Sequence, residues 1–272
     1  MPSLVTAAAR IFDLSVGEML WSRRTVFLGL LVGGPIVIAL VLRIVEAMSV
    51  PAVRVDGVRL GGPDIFGLMI WFLFLRFIVP VLGVFYGTSL IADEVEDKTI
   101  TYLFTRPIPR AAVLLGKYLA YLAVTVLVVL PSVMVVYFLV VPIGGGSIAS
   151  TFPTLVRDLA LLAAGLAVYG AVFAAVGAWL KRPVLTGLFF AFGWESFAMA
   201  VPGYLKRFTV AFYVQALVPH AMPQDGLVSL MQAFFREAVP ALHSLAALVI
   251  IAAAGLALAA RAVERREYVL EQ

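Results

Sequence analysis

Six apolar runs divide this chain, each about as long as a lipid bilayer is thick, and few folds accommodate such a pattern. They are Thr25 to Leu42, Ile65 to Ala92, Tyr118 to Val141, Thr154 to Leu180, Val184 to about Val201, and Ala241 to Ala260. A helix rises about 1.5 Å per residue, so roughly 20 residues cross the hydrocarbon core. No water is present there to satisfy backbone polar groups, which favours helices, whose hydrogen bonds close within the segment. The expected fold is all-α, with six transmembrane helices forming a single domain over residues 1–272. Charge supports this, since only 13% of the residues are charged, about half of the roughly 25% with which a soluble domain covers its surface. The chain has no cysteine, which removes disulfide frameworks and thiolate metal sites from consideration.

The segments between the runs have distinct characters. Residues 1–24 place Phe12, Val16, Met19 and Leu20 at helical spacing, with Arg10, Asp13, Gly17 and Arg24 on other faces. This fits a helix lying in the membrane interface, the plainer alternative being an ordinary polar lead-in. A secretory signal fits poorly, because no small-x-small cleavage site follows the apolar run. In the first run Gly29 and Gly33 stand at GxxxG spacing, which permits close approach between helices. Pro80 is expected to kink the second run. Arg43 to Asp64 and Pro142 to Pro153 read as loops, the latter from its Gly144-Gly145-Gly146 turn. Residues 202–240 are too polar to cross, and residues 261–272 form a charged tail.

Orientation follows from Lys and Arg. With both termini cytoplasmic, inner segments hold twelve of the 20 basic residues and outer segments hold seven, Arg76 lying within a run. That bias places residues 93–117 in the cytoplasm and residues 202–240 outside. The net charge of +4 suits contact with anionic membrane lipid. The basic residues form no stripe interleaved with aromatics, so nucleic acid is not an expected partner.

Charge is dense only between Ile91 and Lys117. Asp93, Glu94, Glu96, Asp97 and Lys98 fall together, and Arg106, Arg110 and Lys117 follow. Such a run is commonly a solvated connector, but here its order suggests more. Thr99 or Thr101 is placed to cap a short helix. Pro107 and Pro109 disfavour helix in the residues before them and so enforce an extended elbow. A new helical start then runs into Gly116-Lys117. A short surface helix of mixed charge with an apolar flank suits docking into a partner's groove.

These residues carry a resemblance. Glu94-Val95-Glu96-Asp97-Lys98-Thr99, then Leu103-Phe104-Thr105-Arg106-Pro107-Ile108-Pro109-Arg110, then Gly116-Lys117-Tyr118 resemble the cytoplasmic loop of type-2 ATP-binding-cassette transporter permeases. Lys98 stands where that family usually has Gly. The resemblance implies an interfacial N-terminal helix, a coupling helix between spans 2 and 3, and a re-entrant outer segment between spans 5 and 6. It also implies a multi-pass protein of the plasma membrane, the bacterial inner membrane, working as an exporter. Its partners would be a separate ATPase subunit and a second permease copy, most simply a homodimer. Coupling contacts would then come from Asp93, Glu94, Glu96, Asp97, Lys98, Thr99, Arg106, Pro107, Arg110, Gly116 and Lys117. The residues themselves support one part of this. No G-x-x-x-x-G-K-[ST] phosphate loop exists, since Gly116-Lys117 is followed by Tyr118. No cofactor is therefore expected in this chain, and ATP and Mg belong to the partner.

Arg76 and Glu195 are the ionisable residues placed deepest in apolar runs, a position that usually faces a bundle interior or a polar cavity. Counted along their helices they lie roughly 22 Å and 18 Å from the cytoplasmic ends. Two readings stand: an intramembrane pair bordering the substrate path, or two side chains snorkelling separately. His220, Met222 and Met231 are too few and too scattered for a copper site, and no metal site is expected. No catalytic constellation stands out, so the chain is expected to be a transport subunit with no enzymatic activity of its own. The competing functions are a membrane scaffold that recruits a soluble partner and an ion-gradient-driven carrier using Arg76 and Glu195.

Overall fold

The computed structural model describes residues 4–21, 23–48, 54–55, 58–59, 61–96, 109–201, 203–220 and 239–265. Among them are six helices long and apolar enough to cross a membrane: Thr25–Ala47, Gly62–Asp93, Arg110–Val140, Ile148–Trp179, Pro183–Ala200 and Ala241–Arg265, hereafter spans 1 to 6. A helix at Leu4–Leu20 precedes them. The all-α membrane fold expected from the apolar runs is therefore the fold observed. The only strands among the described residues are a two-residue antiparallel pair, Arg54–Val55 with Val58–Arg59.

Helix boundaries differ from hydropathy where polar residues can support a helix. Span 1 continues past Leu42 because Arg43 and Glu46 pair at 2.7 Å one turn apart, and Glu46 also accepts the Gly144 N–H at 2.8 Å. Span 4 begins at Ile148 and not at Thr154, with Pro153 inside its second turn. A proline so near the start forfeits few intrahelical bonds. Pro80 lies in the short α-helical stretch Val79–Leu82, between π-helical segments at Ile70–Ile78 and Gly83–Gly87. Widened turns on both sides accommodate the proline within a continuous span. A third π-helical segment, Phe189–Trp194, lies in span 5 immediately before Glu195.

The core is unevenly shared. The most apolar window of span 2 is 72% buried and that of span 4 is 56% buried, against 17% for span 6. Spans 2 and 4 therefore form the centre, with span 3 beside them. Tyr118 and Tyr121 of span 3 donate their hydroxyls to the Ala167 and Leu166 carbonyls of span 4 at 2.8 and 2.9 Å. Ser132 of span 3 donates to the Val32 carbonyl of span 1 at 3.0 Å. The closest approach of one span's backbone to another's lies at Gly177. A Cβ placed there would be 2.8 Å from Thr88 Cα, with the Thr88 oxygen nearer still, so span 2 backbone runs directly against span 4.

Candidate functional site

Two polar centres organise the bundle. The first is the end at which spans 2 and 3 meet the charged stretch. Span 2 continues as a helix to Glu96, and span 3 restarts at Arg110 after Pro109, whose extended backbone occupies the N-cap position. Of the elbow expected from the two prolines, only Pro109 lies among the described residues, and a helix begins directly after it. Asp97, Lys98, Thr99, Arg106 and Pro107 lie outside the described residues, as do the side chains of Glu94 and Glu96. Asp93 and Lys117 are half-buried in the last turns of span 2 and the first turns of span 3.

Arg110 and Gly116 have work inside the chain. Arg110 donates from Nη1 to the carbonyls of Val263 and Glu264 at 3.2 and 3.1 Å. Those carbonyls close span 6, where helix ends leave acceptors unsatisfied and partial negative charge favours a cation. Gly116 lies under the N-terminal helix, where a Cβ would meet the Ala8 carbonyl at 2.7 Å and Ile11 Cβ at 2.8 Å. Ala7, Ala8 and Ala112 complete this small-residue crossing. The face that the N-terminal helix turns inward is thus Ala7, Ala8, Ile11 and Ser15, while Leu14 and Leu20, the latter placed on its apolar stripe by helical spacing, are exposed. Spans 2 and 3, the N-terminal helix and the end of span 6 therefore converge at the described residues that flank 97–108 in sequence. Substituting Gly116 by Val is expected to pry the N-terminal helix from span 3. Faster proteolysis within residues 1–24, with the remaining spans intact, is the outcome that checks it.

The second centre lies within the bundle. Glu195 is 1% exposed. Its Oε2 accepts from the Tyr169 hydroxyl at 2.6 Å, and its Oε1 accepts the N–H groups of Val210 and Ala211 at 2.9 and 3.3 Å. Arg76 of span 2 donates from Nη2 to Ser196 Oγ at 3.1 Å and is an electrostatic neighbour of Glu195. Of the two residues singled out as a possible intramembrane pair, Arg76 is thus bonded to Ser196, the residue next to Glu195. The carboxylate itself closes the start of the short helix Val210–Ala216, which follows span 5 and a turn at Tyr204–Phe208. The Glu195 side chain accordingly ties spans 4 and 5 to the segment beyond span 5, and Ser196 beside it joins span 2 through Arg76.

A third polar group was not anticipated. Asp158 of span 4 is fully buried, and its Oδ2 lies 2.7 Å from His220 Nε2. His220 also packs edge-on to Phe66, with ring centroids 5.8 Å apart. Asp158 stood near the edge of an apolar run, and its partner 62 residues away gave no local signal. Gly29 and Gly33, singled out as a packing face, meet nothing within 4 Å of a built Cβ, so they pack no other helix of this chain among the described residues.

Residues 45–268 match the family model described as ABC-2 family transporter protein. A search of curated proteins gives no match.

Proposed function

The chain belongs to the ABC-2 transporter family and is a multi-pass membrane permease, and from that premise we propose that it is the membrane-spanning subunit of an ATP-driven exporter. ATP and Mg would be bound and hydrolysed by a separate ATPase subunit, consistent with the lack of a phosphate loop in this sequence. The permease would sit in a bacterial inner membrane with both termini cytoplasmic, and would work as a homodimer in contact with lipid. The apolar surfaces left exposed on spans 1, 5 and 6 give room for both a second copy and lipid.

The observation that carries the coupling role is the convergence of elements at the described residues that flank 97–108 in sequence. A partner gripping Asp93 to Lys117 would hold the ends of spans 2 and 3 directly. Through Arg110 it would also hold the end of span 6, and through Gly116 the N-terminal helix. Closure of the ATPase would then shift several helix ends together, and packed cores convert such shifts into alternative arrangements of whole elements. Span 2 carries the displacement inward to Arg76, about 22 Å along the helix from Ile91. The carrier reading is weaker here, because both Glu195 oxygens are engaged in holding structure.

The test is purification of the tagged chain from its native membranes in mild detergent, with identification of associated proteins and an ATP hydrolysis assay. A stoichiometric ATPase is expected. Transport that persists on an ion gradient with no ATPase present would establish a carrier, and partner binding indifferent to nucleotide would establish a scaffold.

A further inference from the structure

At the end of the bundle opposite the charged stretch, a cavity of about 190 Å³ opens between the starts of spans 2 and 4, the end of span 3 and His220. Its polar walls are Asp64, Tyr137, Thr151, Thr154 and His220, and Phe66 supplies an apolar face. Asp64 Oδ2 accepts the Gly61 N–H at 3.2 Å, and a carboxylate has acceptor positions beyond that one bond. The Tyr137 hydroxyl and Thr151 Oγ1 are 2.8 Å apart and hydrogen-bonded to each other. Behind His220 stands the fully buried Asp158, whose Oδ1 has no hydrogen-bond partner among the described residues. No Lys or Arg is among the lining residues.

We propose that this cavity is a binding site for a small primary ammonium group. The Asp64 carboxylate on the wall, with no Lys or Arg among the described lining residues, makes the surroundings favour positive charge and disfavour an anion. An ammonium carries three donors and no acceptor, which suits walls rich in carboxylate and hydroxyl oxygen. A bare metal ion fits less well, since no cluster of three or more His, Asp or Glu side chains among the described residues is arranged to hold one. At about 190 Å³ the cavity lies below the range of roughly 300–1,000 Å³ typical of drug-sized ligands, so its occupant has only a few non-hydrogen atoms. A free alkylamine and the ethanolamine headgroup of a lipid share this chemistry.

The experiment is calorimetric titration of the full chain, purified in an amine-free buffer, with ethylammonium chloride. Sodium chloride at equal ionic strength and ethanol serve as charge and shape controls. Saturable binding of ethylammonium alone is expected, weakened about tenfold or more in Asp64→Asn, which keeps the acceptor for Gly61 while removing the charge. Thr154→Leu fills the cavity without altering charge and is expected to abolish binding, and the unliganded melting temperature of each variant reports whether it has folded. In bilayer discs of phosphatidylglycerol the binding is expected to persist. Its loss in discs containing phosphatidylethanolamine identifies the headgroup as the source, and its retention there identifies a free amine. Absence of saturable ethylammonium binding by the wild-type chain, or equal binding by folded Asp64→Asn and Thr154→Leu variants, overturns the proposal.

Discussion

Replacing Gly177 by leucine is expected to leave no folded protein in the membrane. Spans 2 and 4 are the two most buried helices, and at Gly177 the surface facing the new side chain is the Thr88 backbone itself. A flexible side chain at that point would swing aside, but backbone moves only if a whole span is displaced. Overpacking a tight core costs about 1–3 kcal/mol where side chains can adjust, and more where they cannot. The same shift would disturb the neighbouring turn, where the Thr88 hydroxyl bonds to the Val84 carbonyl at 2.5 Å. Size-exclusion profiles of detergent extracts are expected to show a monodisperse peak for wild type and only aggregate for Gly177→Leu. Gly29→Leu is the internal control and is expected to run as wild type when the chain is monomeric, because nothing lies within 4 Å of its Cβ position. Equal behaviour of the two variants would mean that the central crossing is misplaced.

Glu195→Ala is the second large effect. The substitution removes the acceptor for the Tyr169 hydroxyl and for the Val210 and Ala211 N–H groups and deprives Arg76 of its carboxylate neighbour. Leaving a buried donor without its acceptor costs about 1–3 kcal/mol, and here three donors lose theirs at once. A large fall in melting temperature is expected, together with loss of order in the segment beyond span 5, whose short helix begins on this carboxylate. Arg76→Met is expected to be destabilising as well. The double variant, Arg76→Met with Glu195→Ala, should lose less than the sum of the two single changes, since each residue is part of the other's environment. Additive losses would remove Arg76 from the cluster's energetics and leave it as a ligand of Ser196 only.

Hydropathy revealed the six spans because a bilayer fixes the length of what crosses it, and no packing detail is needed to see that. Which spans are central was not visible, since the apolar character of span 6 differs little from that of span 4 while their burial differs widely. Glycine spacing is uninformative within the chain for a related reason. Gly29 and Gly33 have the pattern of a contact face and meet no other helix among the described residues, whereas Gly177, in no such pattern, makes the closest backbone approach between spans. A small residue permits approach, and only the third dimension supplies the neighbour. Arg76 and Glu195 could be singled out because charge within an apolar run is costly and therefore rarely idle. Their true partners, Ser196, Tyr169 and the N–H groups of Val210 and Ala211, depend on how the chain folds back beyond span 5. Arg110 and Gly116 read from the sequence as coupling contacts, and the structure adds their bonds and packing to span 6 and the N-terminal helix, elements that the local sequence cannot see.

The central claim is that residues 93–117 transmit the work of an ATPase to the spans. It is tested most directly by measuring ATP hydrolysis in the complex purified with wild-type permease and with Glu94, Glu96 and Arg106 changed to Ala. Arg110 is varied separately because of its bonds to span 6. The account predicts that the triple variant folds with a wild-type melting temperature but no longer retains, or no longer stimulates, the ATPase. A triple variant that binds and stimulates the ATPase as wild type does would contradict it.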